Sequence, residues 1–570
     1  MKSIVKTHWL AIVVSVFVGL FHVLPSVFFT FTPDYAGVMM VGPADEEHYV
    51  ARTQQAYIGH PLTTNTFLQN KDQPYFQPGL GESIVAGLAR ITGLSATQMI
   101  VVSKFLFPFL VALIIYAFVY ALFASVPVAL MAVLCVFFAD NLTSSGASTW
   151  LRLLQGQSPE GWLPYARPVN PQISGLLFFG TLYLLYRTFW NRDIWRTGAV
   201  IGIGLLIGAA SYLNPYNWTF FIVFFGLFFL WCLYRKEYKD ALNTVYIGAI
   251  SLLVSIPFFF NYWQLLAHPD YVESAARFGI IATHAPIIGA WVILLFLCPL
   301  LLWPKEYARA KSFFIISAIA IFLLLNQQVI TGHLMQQNHY HFYDTKPLAE
   351  IMFAMYIIVI GALLVRHEKL RISLYAAIAL FFFYNGALIQ YHSYLSSYPL
   401  AAAAQKYAPL LSYLEALPQN ETIWADRNLS TYIPMYTAHS VPNNFYAFAY
   451  LTSNKYLEKR ILLEYRLRGV PPSQAYDTLV QDRADVSSRI FQLYWREKTG
   501  SYAGIPDSLL RDYAKDYATF VRAPYPTLFR DMGITMIAWD KNAEPAWNIN
   551  AMPFVSKIFE IGDIVVFRLQ

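Results

Sequence analysis

Long apolar runs alternate with short polar segments over the first two thirds of the chain. Most of these runs approach the roughly 20 residues that an α-helix needs to cross a bilayer. The pattern predicts about eleven membrane-spanning helices, over Trp9–Phe29, Val102–Phe123, Pro127–Ala139, Ile173–Phe189, Gly198–Leu213, Trp218–Tyr234, Thr244–Trp263, Pro286–Trp303, Phe313–Ile330, Leu348–Val365 and Ile372–Tyr391. The chain is therefore predicted to be an α-helical polytopic membrane protein.

Two longer stretches depart from this pattern and divide the chain. Residues 30–101 form a long polar loop after the first helix. Residues 393–570 mix strand and helix patterns, namely strands at Glu421–Ala425 and Ile534–Asp540, an amphipathic helix at Leu457–Arg468 and a hairpin at Phe559–Leu569. We therefore expect a membrane module over residues 1–392, which includes the loop, and an α/β domain over residues 393–570.

Composition supports a membrane protein and argues against a disulfide-rich, a thiolate metal-binding or a nucleic-acid-binding protein. Hydrophobic residues make up 57% of the chain and charged residues 13%, whereas soluble domains carry about 25% charge. The three cysteines lie in apolar runs, which excludes a disulfide framework and a thiolate metal site. Since Lys and Arg form no cluster on a soluble face, no nucleic-acid partner is expected.

The basic residues predict the orientation of the chain. With the N-terminus inside, fourteen Lys and Arg lie in inside segments and four in short outside loops. The inside set is Lys2, Lys6, Arg187, Arg192, Arg196, Arg235, Lys236, Lys239, Lys305, Arg309, Lys311, Arg366, Lys369 and Arg371, and the outside set is Arg152, Arg167, Arg277 and Lys346. This asymmetry predicts an integral plasma-membrane protein with a cytoplasmic N-terminus and an extracytoplasmic C-terminal domain.

An acidic motif, ADEEHY, follows the first helix and holds Asp45, Glu46, Glu47 and His48. On a helix, Asp45 shares a face with His48, while Glu46 points about 100° away. One of these carboxylates could act as a general base toward a hydroxyl, with Glu47 and His48 in support. The alternative is an acidic first turn that only complements a helix dipole.

Basic and histidine side chains in other outside segments are candidates for binding a phosphate. They are Arg167, His339, His341, Lys346 and Lys104, with Asp140 and Asp344 as candidates for support. His339 and His341 alternate, which predicts one face of an extended segment; together with Asp344 they also match a metal site, although the spacing is not diagnostic. Arg167 and Lys104 have the alternative of reaching toward lipid headgroups. Arg277 is expected to be solvated.

All of these candidates lie on the predicted outer side of the membrane, whereas the inner loops are short and basic. Soluble nucleotide donors are found in the cytoplasm. A site on the outer side therefore has to use a substrate that the membrane presents. A lipid-linked substrate that bears a phosphate meets this requirement.

These features resemble the GT-C glycosyltransferases, polytopic enzymes that use polyprenyl-phosphate-linked sugars. The acidic pair Asp45-Glu46 is similar to the one that protein O-mannosyltransferases and the lipid A aminoarabinose transferase carry in the same loop. The segments ARPVNPQ and NQQVITG and the C-terminal GITMIAWD and FEIGDIVVFRLQ are similar to those of uncharacterised bacterial members. The resemblance covers the whole chain in architecture but only these motifs in sequence.

The resemblance implies an inverting transfer of a sugar from a polyprenyl-phosphate donor to an acceptor on the extracytoplasmic side. Asp45 would be the base, or an acid associated with a divalent cation, and Glu46 its partner. Glu47 departs from the simple pair and leaves the register of the catalytic acid open by one residue. The acceptor and the need for a cation also stay open.

Two other functions compete with this interpretation. A transporter places ionisable residues near the bilayer midplane and often shows internal repeats; the predicted helices are nearly free of charge at their centres, and no repeat is visible. A non-catalytic relative would use its outside domain to bind a partner. A groove that joins Asp45 to Arg167 and His339 would favour the enzyme.

Overall fold

The computed structural model describes residues 2–42, 45–62, 64–144, 146–155, 157, 162–418 and 420–570. The chain is mainly helical. The first part contains α1 (Lys2–Thr30), α2 (Glu46–Tyr57), α3 (Leu80–Thr92), α4 (Ala96–Phe123), α5 (Val126–Phe138), α6 (Asp140–Ser144), α7 (Gly146–Leu154), α8 (Gln172–Tyr186), α9 (Arg196–Ala210), α10 (Pro215–Tyr234), α11 (Tyr238–Leu266), α12 (Tyr271–Arg277), α13 (Ala290–Leu301), α14 (Ala308–Leu325), α15 (Gln328–Thr331), α16 (Gln337–Tyr340), α17 (Lys346–Leu364) and α18 (Glu368–Ala404).

Each predicted apolar segment overlaps one of these helices; most ends differ by a few residues, but α1 begins earlier and α18 ends well after the predicted bounds. Among the described residues, seven helices are long and apolar enough to cross a membrane, and three apolar helices, α5, α9 and α13, are shorter. The protein is therefore an integral membrane protein, and the predicted helical, polytopic fold class is confirmed. The orientation of the helices across the bilayer stays a prediction.

Close packing between α9 and α11 shows why small residues occur in these apolar helices. A Cβ atom added at Gly204 would come within 2.7 Å of Ile250, and one at Gly208 within 2.4 Å of Val254. In a bilayer no hydrophobic driving force brings helices together, and small residues let their backbones approach closely enough for van der Waals packing. The two glycines thus permit the close contact between α9 and α11.

The predicted polar loop over residues 30–101 is ordered rather than extended coil. It forms α2 and α3, and α4 begins within it at Ala96, where Ser95 and Gln98 build a capping box. Nearly all of α2 is buried, because it packs against α3 and α4 on one side and against the C-terminal domain on the other.

The C-terminal part is an α/β domain, as predicted. It contains α19 (Ala408–Glu415), α20 (Arg427–Tyr436), α21 (Asn454–Leu467), α22 (Ala475–Gln481), α23 (Arg483–Ile490), α24 (Tyr494–Thr499), α25 (Asp507–Phe520) and α26 (Tyr525–Asp531). Two short strands, β1 (Ile281–Ala282) and β2 (His333–Leu334), pair within the membrane module, and β3 (Ile423–Ala425), β4 (Met536–Asp540), β5 (Val555–Ile561) and β6 (Ile564–Leu569) form the sheet of the domain.

The sheet has the order β3-β4-β6-β5. Strands β3 and β4 are parallel, with Trp424 opposite Ile537, and helices α20 to α26 supply the crossover that a parallel pair needs. Strands β5 and β6 form the predicted hairpin, which turns at Gly562 and Asp563. The predicted helix at Leu457–Arg468 is also present, as α21.

A continuous helix joins the two parts of the chain. Helix α18 runs without a break from Glu368 to Ala404, so the predicted boundary at residue 392 lies inside it. The domain then packs back on the first loop: the Val441 amide donates to the carbonyl of Phe67 at 2.9 Å, and the Tyr450 hydroxyl donates to Thr66 Oγ1 at 2.7 Å. The division at residue 392 stays a prediction.

A buried glutamate organises the helices of the C-terminal domain. The carboxylate of Glu464 lies 2.7 Å from Arg489, 3.0 Å from Arg427 and 2.7 Å from Arg468. Burial alone raises the pKa of Glu464, but the three positive charges outweigh it and lower the pKa from 4.5 to about 2. Because the folded-state pKa is depressed, this stabilisation is present above pH 4.5 and is lost as the pH falls toward 2.

We expect Glu464→Gln to lower the free energy of unfolding of the C-terminal domain by about 3–5 kcal/mol, because it leaves the buried Arg489 without its closest carboxylate. Thermal unfolding of the full chain, followed by limited proteolysis of the domain, measures the loss. Asp512→Asn, which removes an ion pair at the surface, is the control and should change little. Equal stability of Glu464→Gln and the wild type would contradict the structural role of Glu464.

Candidate active site

Asp45 is the N-cap residue immediately before α2 and is the most accessible acid of the ADEEHY motif. Its backbone is left-handed, with φ 63°, and its side chain is 56% exposed. Oxygen Oδ1 accepts a hydrogen bond from the Tyr446 hydroxyl at 3.1 Å, and Oδ2 lies 3.9 Å from Arg167 Nη1. A carboxylate in this position is open to a substrate and is oriented from both sides.

Glu46 has a different environment, although it is the next residue. Its side chain is buried and forms an ion pair with Lys104 of α4, whose Nζ also donates to Ser26 Oγ at 3.0 Å. The second oxygen of Glu46 accepts from the amide of Gly42. Two predicted site residues, Glu46 and Lys104, thus neutralise each other and fasten α2 to α1 and α4.

Glu47 and Asp45 share a hydrogen-bond partner, the Tyr446 hydroxyl. The Tyr446 hydroxyl contacts Glu47 Oε1 at 2.9 Å as well as Asp45. Burial is the main reason why the pKa of Glu47 is raised, and burial together with Glu47 and Asp45 raises the pKa of Tyr446 far above its ordinary value. Since a phenol has one proton, it donates to one carboxylate at a time.

His48 packs under this pair as a neutral ring. It is buried, its Nε2 lies 3.2 Å from Gln77 Oε1, and its ring centroid is 4.8 Å from that of Tyr446. Burial and the nearby Arg52 lower the pKa of His48 to about 3. A neutral imidazole supports Tyr446 by packing and adds no positive charge to the site.

Arg167 completes the group on the opposite side of Asp45. The turn Pro164–Ala166 precedes it, and its Nε donates to the Asn170 carbonyl at 2.7 Å. Its Nη2 donates to the hydroxyls of Tyr49 and Tyr343, each at 2.9 Å. Burial alone would lower the pKa of Arg167, but Tyr343, Tyr49 and Asp45 raise it, so the guanidinium is held charged with Nη1 turned toward Asp45.

The two histidines of the predicted His-x-His face do not lie together. The prediction of an extended segment is wrong, because both residues are in helical turns. His339 lies in the short helix α16 and His341 begins a π-helical turn, His341–Thr345, that leads directly into α17. The His339 ring stacks on Tyr216, with 4.8 Å between centroids, and lies 5.9 Å from Tyr343, the partner of Arg167. Continuous helical winding therefore sends the two histidines to different surroundings.

Lys346 and Asp140 form a second closed ion pair. Beside it a small cavity is lined by Asp140, Tyr165, Tyr343 and the buried Glu350. Asp344 is fully buried, and its carboxylate oxygens have no hydrogen-bond partner among the described residues. Nor do those residues contain a group of three His, Cys, Asp or Glu side chains that could hold a metal ion.

The structure thus sorts the predicted residues into two kinds. Asp45, Glu47 and Arg167 meet at one surface, with His48 beneath them and His339 linked through Tyr343. Four others form two ion pairs, Glu46 with Lys104 and Asp140 with Lys346. Sequence reasoning missed Tyr446, which comes from a turn of the C-terminal domain (Phe445–Ala449) and carries no motif that would have identified it.

Comparison with known proteins adds two solved structures. The chain is similar to ArnT from Cupriavidus metallidurans bound to undecaprenyl phosphate, with 11% identity and a TM-score of 0.46 over 99% of this chain and 98% of that one. The apo state of ArnT from the same organism gives 13% identity and a TM-score of 0.38 over 75% and 85% of the two chains. No protein-family model matches the chain, and no curated protein matches it in sequence. At these values the function has to be argued from the site itself.

The two neighbouring acids should respond differently to removal of their charge. We expect Glu46→Gln to lower the free energy of unfolding by about 3–5 kcal/mol, because it leaves Lys104 as an uncompensated buried cation. Glu46→Gln combined with Lys104→Met should recover part of the loss. Asp45→Asn, at an exposed position, should leave the melting temperature of the detergent-solubilised protein unchanged. The reverse order of stabilities would contradict this division of roles.

Proposed function

We propose that the protein is a membrane glycosyltransferase that moves a sugar from a polyprenyl-phosphate-linked donor to an acceptor, with inversion. The observation that carries the proposal is the accessible carboxylate of Asp45 facing the guanidinium of Arg167 where the helix bundle meets the C-terminal domain. A base and a cation at this level can act on a donor whose lipid stays in the bilayer and whose sugar phosphate reaches the surface.

Asp45 acts as the general base. An acceptor hydroxyl attacks the anomeric carbon while Asp45 takes its proton, a new C–O bond forms, and the bond from that carbon to the phosphate oxygen breaks. The phosphate oxygen leaves with the electron pair. Because one displacement occurs, the configuration at the anomeric carbon is inverted. Tyr446 orients Asp45 through Oδ1, and Oδ2 lies 3.9 Å from Arg167 Nη1.

Arg167 stabilises the departing phosphate. Its Nε and Nη2 are held by Asn170, Tyr49 and Tyr343, which fixes the plane of the guanidinium. Among the described residues its Nη1 has only the 3.9 Å contact to Asp45, and it is the nitrogen that can bind a phosphate oxygen. Since such a contact strengthens as negative charge develops on the oxygen, Arg167 favours bond cleavage.

The other predicted phosphate ligands take supporting places. The stacking of His339 on Tyr216 keeps Tyr343 against Arg167. Lys104 and Lys346 are neutralised by their carboxylates, so either would have to leave its ion pair before it could bind a phosphate. His341 lies near the Lys346–Asp140 ion pair and therefore away from Asp45 and Arg167.

Asp45→Asn should reduce turnover by about 10²–10⁴-fold, the usual contribution of a general base, with little change in KM. The assay supplies membranes with a panel of radiolabelled polyprenyl-phosphate sugars and follows loss of the lipid-linked label at equal expression. Asp34→Asn is the matched control, since Asp34 is also a carboxylate that accepts a hydrogen bond from a tyrosine, Tyr398. Full activity of Asp45→Asn, or loss in both variants, would contradict the assignment.

Arg167→Lys should retain a positive charge but lose the two-sided hydrogen bonding that fixes the guanidinium. We expect a lower kcat from this variant in the same assay, because a flexible ammonium no longer holds the leaving phosphate in place. Lys346→Met, which removes a lysine already neutralised by Asp140, is the comparison and should reduce kcat less. Equal kcat for Arg167→Lys and the wild type would contradict the role of Arg167.

A further inference from the structure

Arg277 is buried at the boundary between the membrane module and the C-terminal domain. It ends α12, in the segment between α11 and α13, and its exposed fraction is 0%. The expectation that it is solvated is therefore wrong. Its side chain points into the domain rather than toward water, because the segment that follows Tyr446, residues 448–454, packs over it.

The guanidinium of Arg277 binds one short segment of the C-terminal domain. Its Nε donates to the Phe448 carbonyl at 2.9 Å, and its Nη2 donates to the carbonyls of Tyr450 and Thr452 at 3.1 and 2.7 Å. Its Nη1 donates to Asn454 Oδ1 at 2.7 Å. Every guanidinium nitrogen thus has a partner within seven consecutive residues of the chain.

This arrangement is energetically unusual. Burial lowers the pKa of Arg277 to about 10, and Glu273 and Asp270 offset only part of the effect. The hydrogen-bond acceptors are neutral carbonyls, the Asn454 amide and the Ser274 hydroxyl, so no carboxylate directly contacts the guanidinium among the described residues. A buried cation with neutral partners is a poor source of stability, but its planar set of donors fixes the position of several carbonyls at once.

The segment that Arg277 holds begins two residues after Tyr446. The other end of the turn is held from within the domain, because Arg460 donates to the Asn444 carbonyl at 2.8 Å and Arg489 donates to Asn443 Oδ1 at 2.8 Å. Arg277 is thus one of the contacts by which the membrane module places this turn, together with the hydrogen bond from Tyr450 to Thr66. The Tyr446 hydroxyl at its centre meets the acids of the same module.

We propose that Arg277 is a positioning residue, which sets the Tyr446 hydroxyl against Asp45 and Glu47 by fixing the segment that follows it. The proposal rests on the proposed function, in which Tyr446 orients the base. The membrane module then supplies both the acids and the clamp, and the C-terminal domain supplies the tyrosine between them. A displacement of about 1 Å in such a group can lower the rate by on the order of 10²-fold.

The test compares Arg277→Met, Arg277→Lys and Tyr446→Phe in the full chain. We expect Arg277→Met to lower kcat about as much as Tyr446→Phe, with Arg277→Lys in between. The double variant should lose no more than Tyr446→Phe alone, because both changes act through the same hydroxyl. Arg466→Met is the matched control, since Arg466 also donates to backbone carbonyls, those of Phe520 and Ala523, but in another segment; its kcat should match the wild type.

Amide hydrogen exchange gives a readout that does not depend on activity. Residues 445–452 should exchange faster in Arg277→Met than in the wild type or Arg466→Met. Unchanged exchange in this segment, or additive losses of kcat in the double variant, would overturn the positioning role. If the wild type shows no turnover with any donor, the proposed function fails, while the exchange result still decides whether Arg277 fixes the segment.

Discussion

The Tyr446 hydroxyl, which lies within hydrogen-bond distance of both Asp45 and Glu47, makes the contact on which the candidate site depends. It joins residues 401 and 399 positions apart in the sequence, one group on the first loop of the membrane module and the other in the C-terminal domain. The packing of α2, the burial of His48 and the course of the turn that carries Tyr446 all serve this contact. The domain therefore contributes a residue to the candidate site.

Pairing of charge explains why several of the predicted site residues are not available to a substrate. In a low-dielectric interior an unpaired charge is costly, and Glu46 and Asp140 accordingly neutralise Lys104 and Lys346. Asp45 is accessible, and among the described residues Arg167 Nη1 has no partner nearer than Asp45 Oδ2, at 3.9 Å. An acid and a cation left in this state, side by side, are what a reaction with a charged leaving group requires.

The sequence predicts the helices and the small domain well, because apolar periodicity and turn signals are local. The sequence also indicates Asp45 as a candidate, since three consecutive acids follow a membrane helix. It does not show that Glu46 is buried against Lys104 while Glu47 turns to the site, because this depends on how α2 packs. Tyr446 and Arg277 are unpredictable for the same reason: each acts through a contact between distant parts of the chain. The polar composition of the segment that holds His339 and His341 did not indicate a helix. Because the segment is helical, the two side chains point in different directions.

The anomeric configuration of the product tests the central claim most directly. The protein in lipid nanodiscs is given a polyprenyl-phosphate sugar of known configuration, and the linkage formed is determined by NMR while release of the polyprenyl phosphate is followed by mass spectrometry. The account predicts an inverted linkage and one polyprenyl phosphate released for each sugar transferred. A product with retained configuration, or no release from any donor, would contradict a single displacement assisted by Asp45.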